Sequence, residues 1–305
     1  MPPIDEGMTG SRSISAGGPG AAYSDFAFDC PAVSGSACKI TQVSKVKVFM
    51  RLLCINPNTA DAVTAGVLAA GRAIAPDGVT ISGATGRFGA RYISSRASAA
   101  VAGHAALDAY AEHGGEADAV LLACFGDPGL LALRELAHCP VLGLAETTCL
   151  TASKLGAKFS IITGGDRWPA MLEEFVDLIG LSGSLASIRA VAPTGGEILA
   201  NPQAAYRMLA EACRSAAQDD LAQIVILGGA GLAGIAGHIR AAVPVPVLCS
   251  VETGFRNAFH MLAEGFCKPQ SGIWAAPPPI QTIGLTPALA GKLEGLAGLL
   301  PNKAK

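Results

Sequence analysis

The stretch at 120–130, VLLACFGDPGL, is an apolar run that ends in a turn of small residues, and it has a counterpart later in the chain. The counterpart at 224–232, IVILGGAGL, has the same order of features. Each copy is followed, at nearly the same distance, by a second apolar run and a Glu-Thr pair, at 139–147 and 245–253. This duplication predicts two related lobes whose turns face one cleft. One turn carries a thiol at the position where the other carries glycine.

The composition favours a compact α/β protein. The chain has 305 residues, of which 50% are hydrophobic and only 15% are charged. Apolar runs alternate with alanine-rich stretches, which is typical of parallel sheets covered on both faces by helices. We therefore predict an α/β fold of two pseudo-symmetric, doubly wound lobes. The formal net charge of −2 and the lack of basic clusters argue against nucleic acid as a partner. No apolar run is long enough to span a bilayer, so no membrane partner is expected.

The cysteines indicate a reducing environment. There are nine of them, with no CxxC pair and no Cys/His cluster at metal-ligand spacing. We expect most of them to be small buried residues of a cytoplasmic protein, with neither a disulfide framework nor a metal site.

Composition also divides the chain into segments. Residues 1–49 are rich in Gly, Ser, Pro and Ala and show no apolar periodicity. We expect them to be a disordered extension, or to precede a natural start at Met50. The thiol-bearing lobe is predicted at 50–156 and the glycine-bearing lobe at 157–275. A C-terminal tail follows at 276–305, with a short helix at 287–300.

Four turns are expected to form the site, because ligands of open α/β sheets bind beyond the carboxyl ends of the strands. The turn 56–59, NPNT, follows the first predicted strand, and 163–166, TGGD, follows the strand that opens the second lobe. The other two turns contain Cys124 and Gly229. The predicted cleft therefore has one strong nucleophile.

Cys124 is the residue that carries chemistry in this pattern. The positive end of the following helix is expected to lower the pKa of its thiol, and a thiolate can exchange a proton at a carbon next to a carbonyl. All five histidines lie in predicted helices or at a helix end, so no histidine partner is expected. Asp127 is expected to cap the helix that follows. The alternative is that Cys124 is only a small buried core residue.

These motifs resemble the hydantoin racemase branch of the aspartate/glutamate racemase superfamily. The resemblance covers nearly all of 50–265 and is carried by INPNT, ACFGDPGL, GLAE and LGGAG, at 55–59, 123–130, 143–146 and 227–231. In that family two cysteines on opposite faces of the substrate act as acid and base, without cofactor or metal. The resemblance places the first cysteine at Cys124. It implies a cofactor-independent racemase or epimerase of the hydantoin or amino-acid type.

The family's second cysteine corresponds to Gly229 of this chain. Arylmalonate decarboxylases of the same superfamily also keep one thiol, on the other lobe, so the resemblance leaves open a one-thiol decarboxylase or lyase. A non-catalytic small-molecule sensor is a third possibility. Cys149 and Cys249 are close enough in sequence to the predicted turns to approach the cleft, but both are expected to be packing residues.

Besides Cys124, the candidate substrate-binding residues are those of the four turns and one nearby acid: Asn56, Thr59, Phe125, Gly126, Glu146, Thr163, Gly164, Gly229 and Ala230. Asn56 and Thr59 would bind a carboxylate or ureide, or would simply start a helix. Glu146 and its counterpart Glu252 would orient the substrate or serve as helix-start acids, and their presence in both copies favours a structural role. The expected partner is a small amide, ureide or carboxylate. The apolar composition and the resemblance together predict a homo-oligomer.

Overall fold

The computed structural model describes residues 50–191 and 201–295. These residues all fall within one compact unit. The predictions for 1–49 and for the end of the tail helix concern residues outside these ranges.

Eight parallel strands in the described residues form two sheets. The strands of the first sheet are β1 Met50–Asn56, β2 Val79–Thr85, β3 Ala119–Leu122 and β4 Val141–Gly143. Those of the second are β5 Phe159–Thr163, β6 Leu185–Ala190, β7 Ile224–Leu227 and β8 Val247–Cys249. The orders are β2-β1-β3-β4 and β6-β5-β7-β8, with every pairing parallel. The identical orders confirm the predicted α/β fold with two related halves.

Helices connect the strands and cover the sheets. Their bounds are α1 Asp61–Arg72, α2 Arg96–His113, α3 Leu130–Leu136, α4 Leu144–Leu155, α5 Trp168–Leu178, α6 Pro202–Gln218, α7 Ala236–Ile239, α8 Ser250–Ala263 and α9 Pro287–Leu293. The central strands β3 and β7 are buried along their whole length, as expected for parallel strands covered on both faces. In the described part of the chain, no helix combines the length and apolar character that crossing a membrane requires.

Helices α4 and α8 pack between the two halves and contact both sheets. Each follows the last strand of one sheet and also packs against the central strand of the other. The two helices contact each other closely at Gly254, where an added Cβ would lie 2.5 Å from Leu144 Cδ2 and 3.2 Å from Leu121 Cδ1. Because both sheets share this helical layer, the turns at their carboxyl ends are held at a defined separation.

The described part of the predicted tail packs on the first half of the molecule. Helix α9 lies against α2. The Thr286 hydroxyl caps α9 by accepting from Leu289 N at 3.3 Å, and it donates to the buried Asp108 Oδ1 at 2.6 Å. Lys292 Nζ lies 5.6 Å from the centre of the Tyr110 ring. These contacts tie residues near the end of the chain to α2.

Candidate active site

Cys124 lies in a tight turn immediately beyond β3. The Asp127 N–H donates to the Cys124 carbonyl at 3.1 Å, which closes the turn. The turn uses positive φ at three of its residues: 127° at Gly126, 46° at Asp127 and 80° at Gly129. Glycine adopts such angles at little cost, so the small-residue composition of the motif has a direct conformational cause.

The thiol of Cys124 is buried, and this burial raises its pKa well above the ordinary value. The nearby carboxylate of Asp127 acts in the same direction. The predicted lowering of the pKa is therefore wrong. Helix α3 begins only at Leu130, and the loss of water around the sulfur decides the sign. At neutral pH the group is a protonated thiol, the form that donates a proton.

Asp127 does not cap the helix that follows its turn. Helix α3 has Gly129 at its N-cap and no side-chain cap. The Asp127 carboxylate instead accepts from Ala145 N at 3.0 Å and Glu146 N at 2.8 Å, so it caps α4. Burial raises the pKa of Asp127 to about 7, although these two N–H groups favour its charged form. This carboxylate therefore links the Cys124 turn to the helix shared by both halves.

The turn beyond β7 meets the Cys124 turn directly. Phe125 is buried against Gly228, where an added Cβ would lie 2.5 Å from Phe125 Cε1. Gly229 has φ 151°, and its N–H donates to Ser250 Oγ at 3.3 Å. Ala230 begins a single 3-10 turn. The structure thus brings the thiol-bearing turn and its glycine counterpart together.

The turn beyond β1 is organised by Asn56, whose side chain is fully buried. Its amide nitrogen donates to Asn58 Oδ1 at 2.8 Å and Thr64 Oγ1 at 3.0 Å. The Thr59 N–H donates to the Ala90 carbonyl at 3.2 Å. Asn56 therefore shapes the turn from within, while Thr59 connects it to a loop that follows β2.

This loop, residues 86–95 (the cleft loop), was not among the predicted turns of the site. Tyr92 Oη donates to the Gly164 carbonyl at 3.0 Å, in the turn after β5. The Ile93 carbonyl accepts from Trp168 Nε1 at 3.1 Å. The cleft loop therefore joins the two halves. The sequence offered one weak indication of this contact. Aromatic residues make up only 5% of the chain, and two of them, Tyr92 and Trp168, lie close to predicted turns.

The remaining residues of the turn beyond β5 lie beside the cleft loop. Thr163 is buried, and its carbonyl accepts from Val191 N at 2.7 Å. Gly164 is partly exposed and receives the Tyr92 hydrogen bond. An added Cβ at Gly165 would lie 2.5 Å from Tyr92 Oη. The TGGD motif thus provides a narrow turn against which the Tyr92 hydroxyl rests.

Glu146 and Glu252 make the same contacts in the two halves. Glu146 Oε1 accepts from Arg134 Nη1 at 2.9 Å, and Glu252 Oε2 accepts from Arg240 Nη2 at 2.9 Å. Each arginine precedes its glutamate by 12 residues, and its Nε also donates to the carbonyl of the residue seven positions after it. Such a repeated arrangement supports the structural interpretation of both glutamates.

The two cysteines considered as substitutes for the missing thiol are both buried. Burial raises the pKa of Cys149 and of Cys249. All seven cysteines of the described residues are free thiols. Within the same residues, no group of three His, Cys, Asp or Glu side chains is placed to hold a metal ion.

The protein is a two-sheet α/β protein whose sheets share a helical layer. A buried thiol, that of Cys124, lies where the turns of the two sheets meet. Residues 52–258 match the family described as Asp/Glu/Hydantoin racemase. The chain is 34% identical over 232 residues to hydantoin racemase of Paenarthrobacter aurescens, covering 75% of this chain and 98% of that protein. It is also similar to the crystal structure of allantoin racemase from Pseudomonas fluorescens, with a TM-score of 0.74 and 31% identity, over 77% of this chain and 100% of the other. The structure of allantoin racemase from Klebsiella pneumoniae is similar with a TM-score of 0.74 and 29% identity, covering 79% of this chain and 98% of the other.

The chain therefore belongs to the Asp/Glu/Hydantoin racemase family. The predicted enzyme class, an isomerase of the racemase type, is confirmed by these relatives. They do not favour the decarboxylase or the sensor.

Proposed function

We propose that the protein is a cofactor-independent racemase or epimerase that acts on a hydantoin or a related cyclic amide or ureide. The reacting atom is a carbon bonded to hydrogen and adjacent to a carbonyl. The observation that carries this proposal is the buried thiol of Cys124, at the carboxyl end of β3 and beside the turn of the second half. The family membership supports the same chemistry.

Cys124 acts as the acid and base on one face of the substrate. On the opposite face water takes the proton from the carbon and leaves an enolate. The Cys124 S–H then donates its proton to that carbon, and the resulting thiolate regains a proton from solvent. In the reverse direction the thiolate takes the proton. Negative charge develops on the carbonyl oxygen, where the backbone N–H groups of the glycine-containing turns at Gly126 and Gly164 would stabilise it. Exchange of a proton in this way needs no cofactor.

The opposite face is different, because Gly229 offers no side chain. A proton on that face would exchange with water held at the Gly229–Ala230 turn. Thr59 and Thr163 would bind the polar groups of the substrate through their hydroxyls, and Asn56 would keep the first turn in place. The reaction thus uses two different proton partners, the Cys124 thiol on one face and water on the other.

The test is proton NMR and polarimetry in deuterated buffer with 5-substituted hydantoins, allantoin, amino acids and arylmalonates. We expect deuterium exchange at the reacting carbon together with loss of optical activity for a hydantoin or ureide, and loss of both in Cys124→Ala. Cys213→Ala is the matched control, since Cys213 is also buried but lies on α6. Release of carbon dioxide from a malonate without racemisation of any compound would contradict the proposal.

A further inference from the structure

We infer that Tyr92 is a substrate-contacting residue whose hydroxyl accepts a hydrogen bond from an N–H group of the substrate. This inference rests on the proposed function and narrows its substrate class to compounds that present an N–H donor at that position. Tyr92 is one of four tyrosines of the chain, and the residue is 56% exposed. It extends from the cleft loop to the opposite half of the molecule.

The hydrogen-bonding role that the Tyr92 hydroxyl can offer a ligand follows from its partner in the protein. Tyr92 Oη donates to the Gly164 carbonyl at 3.0 Å, and a carbonyl oxygen can only accept. A phenol has a single proton, so this bond leaves Oη with lone pairs alone to offer. The Trp168 side chain approaches Oη as a donor, although its N–H also donates to the Ile93 carbonyl, and Oη has a second lone pair for a ligand. Burial raises the pKa of Tyr92 further above its ordinary value, so the hydroxyl keeps its proton at neutral pH. Any ligand group that meets Oη must therefore bring its own hydrogen.

Several contacts connect this hydroxyl to the Cys124 turn. An added Cβ at Gly165 would lie 2.5 Å from Tyr92 Oη and 3.2 Å from Trp168 Cδ1. The same Trp168 ring lies against Gly126, two residues after Cys124. The charge of a Cys124 thiolate also acts on the Tyr92 phenol. Tyr92, Trp168 and the Cys124 turn therefore form one continuous wall.

The chemistry of the acceptor discriminates between substrate classes. A carboxylate has only acceptor oxygens, and placing one against Oη would set lone pairs against lone pairs. A hydantoin or another cyclic ureide presents ring N–H groups beside its carbonyls. A carboxylate could meet Tyr92 only if the Gly164 bond were broken, so the geometry favours the ureide.

The experiment combines a change in the protein with a change in the ligand. Binding of a 5-substituted hydantoin and of its N1-methyl and N3-methyl derivatives is measured by titration calorimetry in the wild type, Tyr92→Phe and Tyr206→Phe. The racemisation rate of the parent hydantoin is recorded for each protein. Tyr206 is the matched control because it lies on α6, stacked on His238 with ring centres 4.5 Å apart.

We expect Tyr92→Phe to bind the parent hydantoin about five- to tenfold more weakly than the wild type, the range for one neutral hydrogen bond. For one of the two methyl derivatives, Tyr92→Phe and the wild type should bind alike, because that derivative lacks the hydrogen that Tyr92 accepts. Tyr206→Phe should match the wild type throughout. Equal losses for the parent and both derivatives would overturn the inference and leave Tyr92 a structural link between the halves. Absence of racemisation by the wild type would overturn the proposed function, while the binding comparison still decides the role of Tyr92.

Discussion

The indole ring of Trp168 lies against Gly126, so closely that a Cβ added at Gly126 would be 2.6 Å from Trp168 Cζ3. Gly126 also has φ 127°, which L side chains rarely adopt. We expect Gly126→Ala to displace the Cys124 turn and to lower kcat/KM for hydantoin racemisation by about tenfold or more. Steady-state polarimetry measures this loss.

Gly66→Ala is the control for that substitution. Gly66 lies in α1, and an added Cβ there meets nothing within 4 Å. Alanine should raise helix stability slightly and leave activity unchanged. Full activity in Gly126→Ala would show that the contact with Trp168 does not position the thiol.

The raised pKa of Asp127 predicts a pH-dependent contribution to stability. Its folded-state pKa is about 7, compared with an ordinary value of 3.8, so between these values the folded state binds more protons than the unfolded state. The contribution of this group to stability is therefore greatest at low pH and falls as the pH rises towards about 7. Asp127→Asn removes the titration, and asparagine tolerates the positive φ of this position.

Urea denaturation at about pH 5 and about pH 8 tests this prediction. The difference in unfolding free energy between the wild type and Asp127→Asn should shift in favour of the wild type at the lower pH, by on the order of 2 kcal/mol. A difference that stays constant across this range would mean that the folded-state pKa of Asp127 is not near 7.

Gly229→Cys adds a thiol to the second turn and is expected to lower stability. The space is open, since the nearest atom to an added Cβ is Leu232 Cγ at 3.8 Å, but φ is 151°. We expect both Gly229→Cys and Gly229→Ala to lose about 1–2 kcal/mol of stability through backbone strain. The cysteine variant should racemise hydantoins faster than the alanine variant, because it adds an acid and base on the second face. Equal rates in the two variants would indicate that this turn does not face the substrate.

Glu146→Gln and Glu252→Gln form a natural pair, because the two carboxylates have equivalent arginine partners. Each substitution weakens a partly buried ion pair, with glutamate side chains 19% and 20% exposed. Arg134 is 25% exposed and makes two hydrogen bonds to Glu146, whereas Arg240 is 47% exposed and makes one to Glu252. We therefore expect a larger decrease in melting temperature for Glu146→Gln than for Glu252→Gln, with KM values within about twofold of the wild type for both. A large rise in KM confined to Glu146→Gln would instead assign that residue to substrate binding.

Much of the fold was predictable because its signals are local. The apolar runs that form β3 and β7 end in glycine-containing turns. A pattern of apolar runs followed by turns can be recognised from neighbouring residues alone. The starts of α4 and α8, at Leu144 and Ser250, were not predictable in the same way. Helix ends are less predictable because they depend on which distant group caps them.

The sequence by itself determined the duplicated α/β units, and it placed Cys124 and Gly229 at equivalent strand ends, because periodicity and turn composition are properties of adjacent residues. Only the tertiary structure decided that the Cys124 thiol is protonated, that Asp127 caps α4, and that Tyr92 reaches Gly164. The physical reason is that burial and hydrogen-bond partners come from segments far apart in the chain. Those segments meet only when the shared helical layer brings the two sheets together.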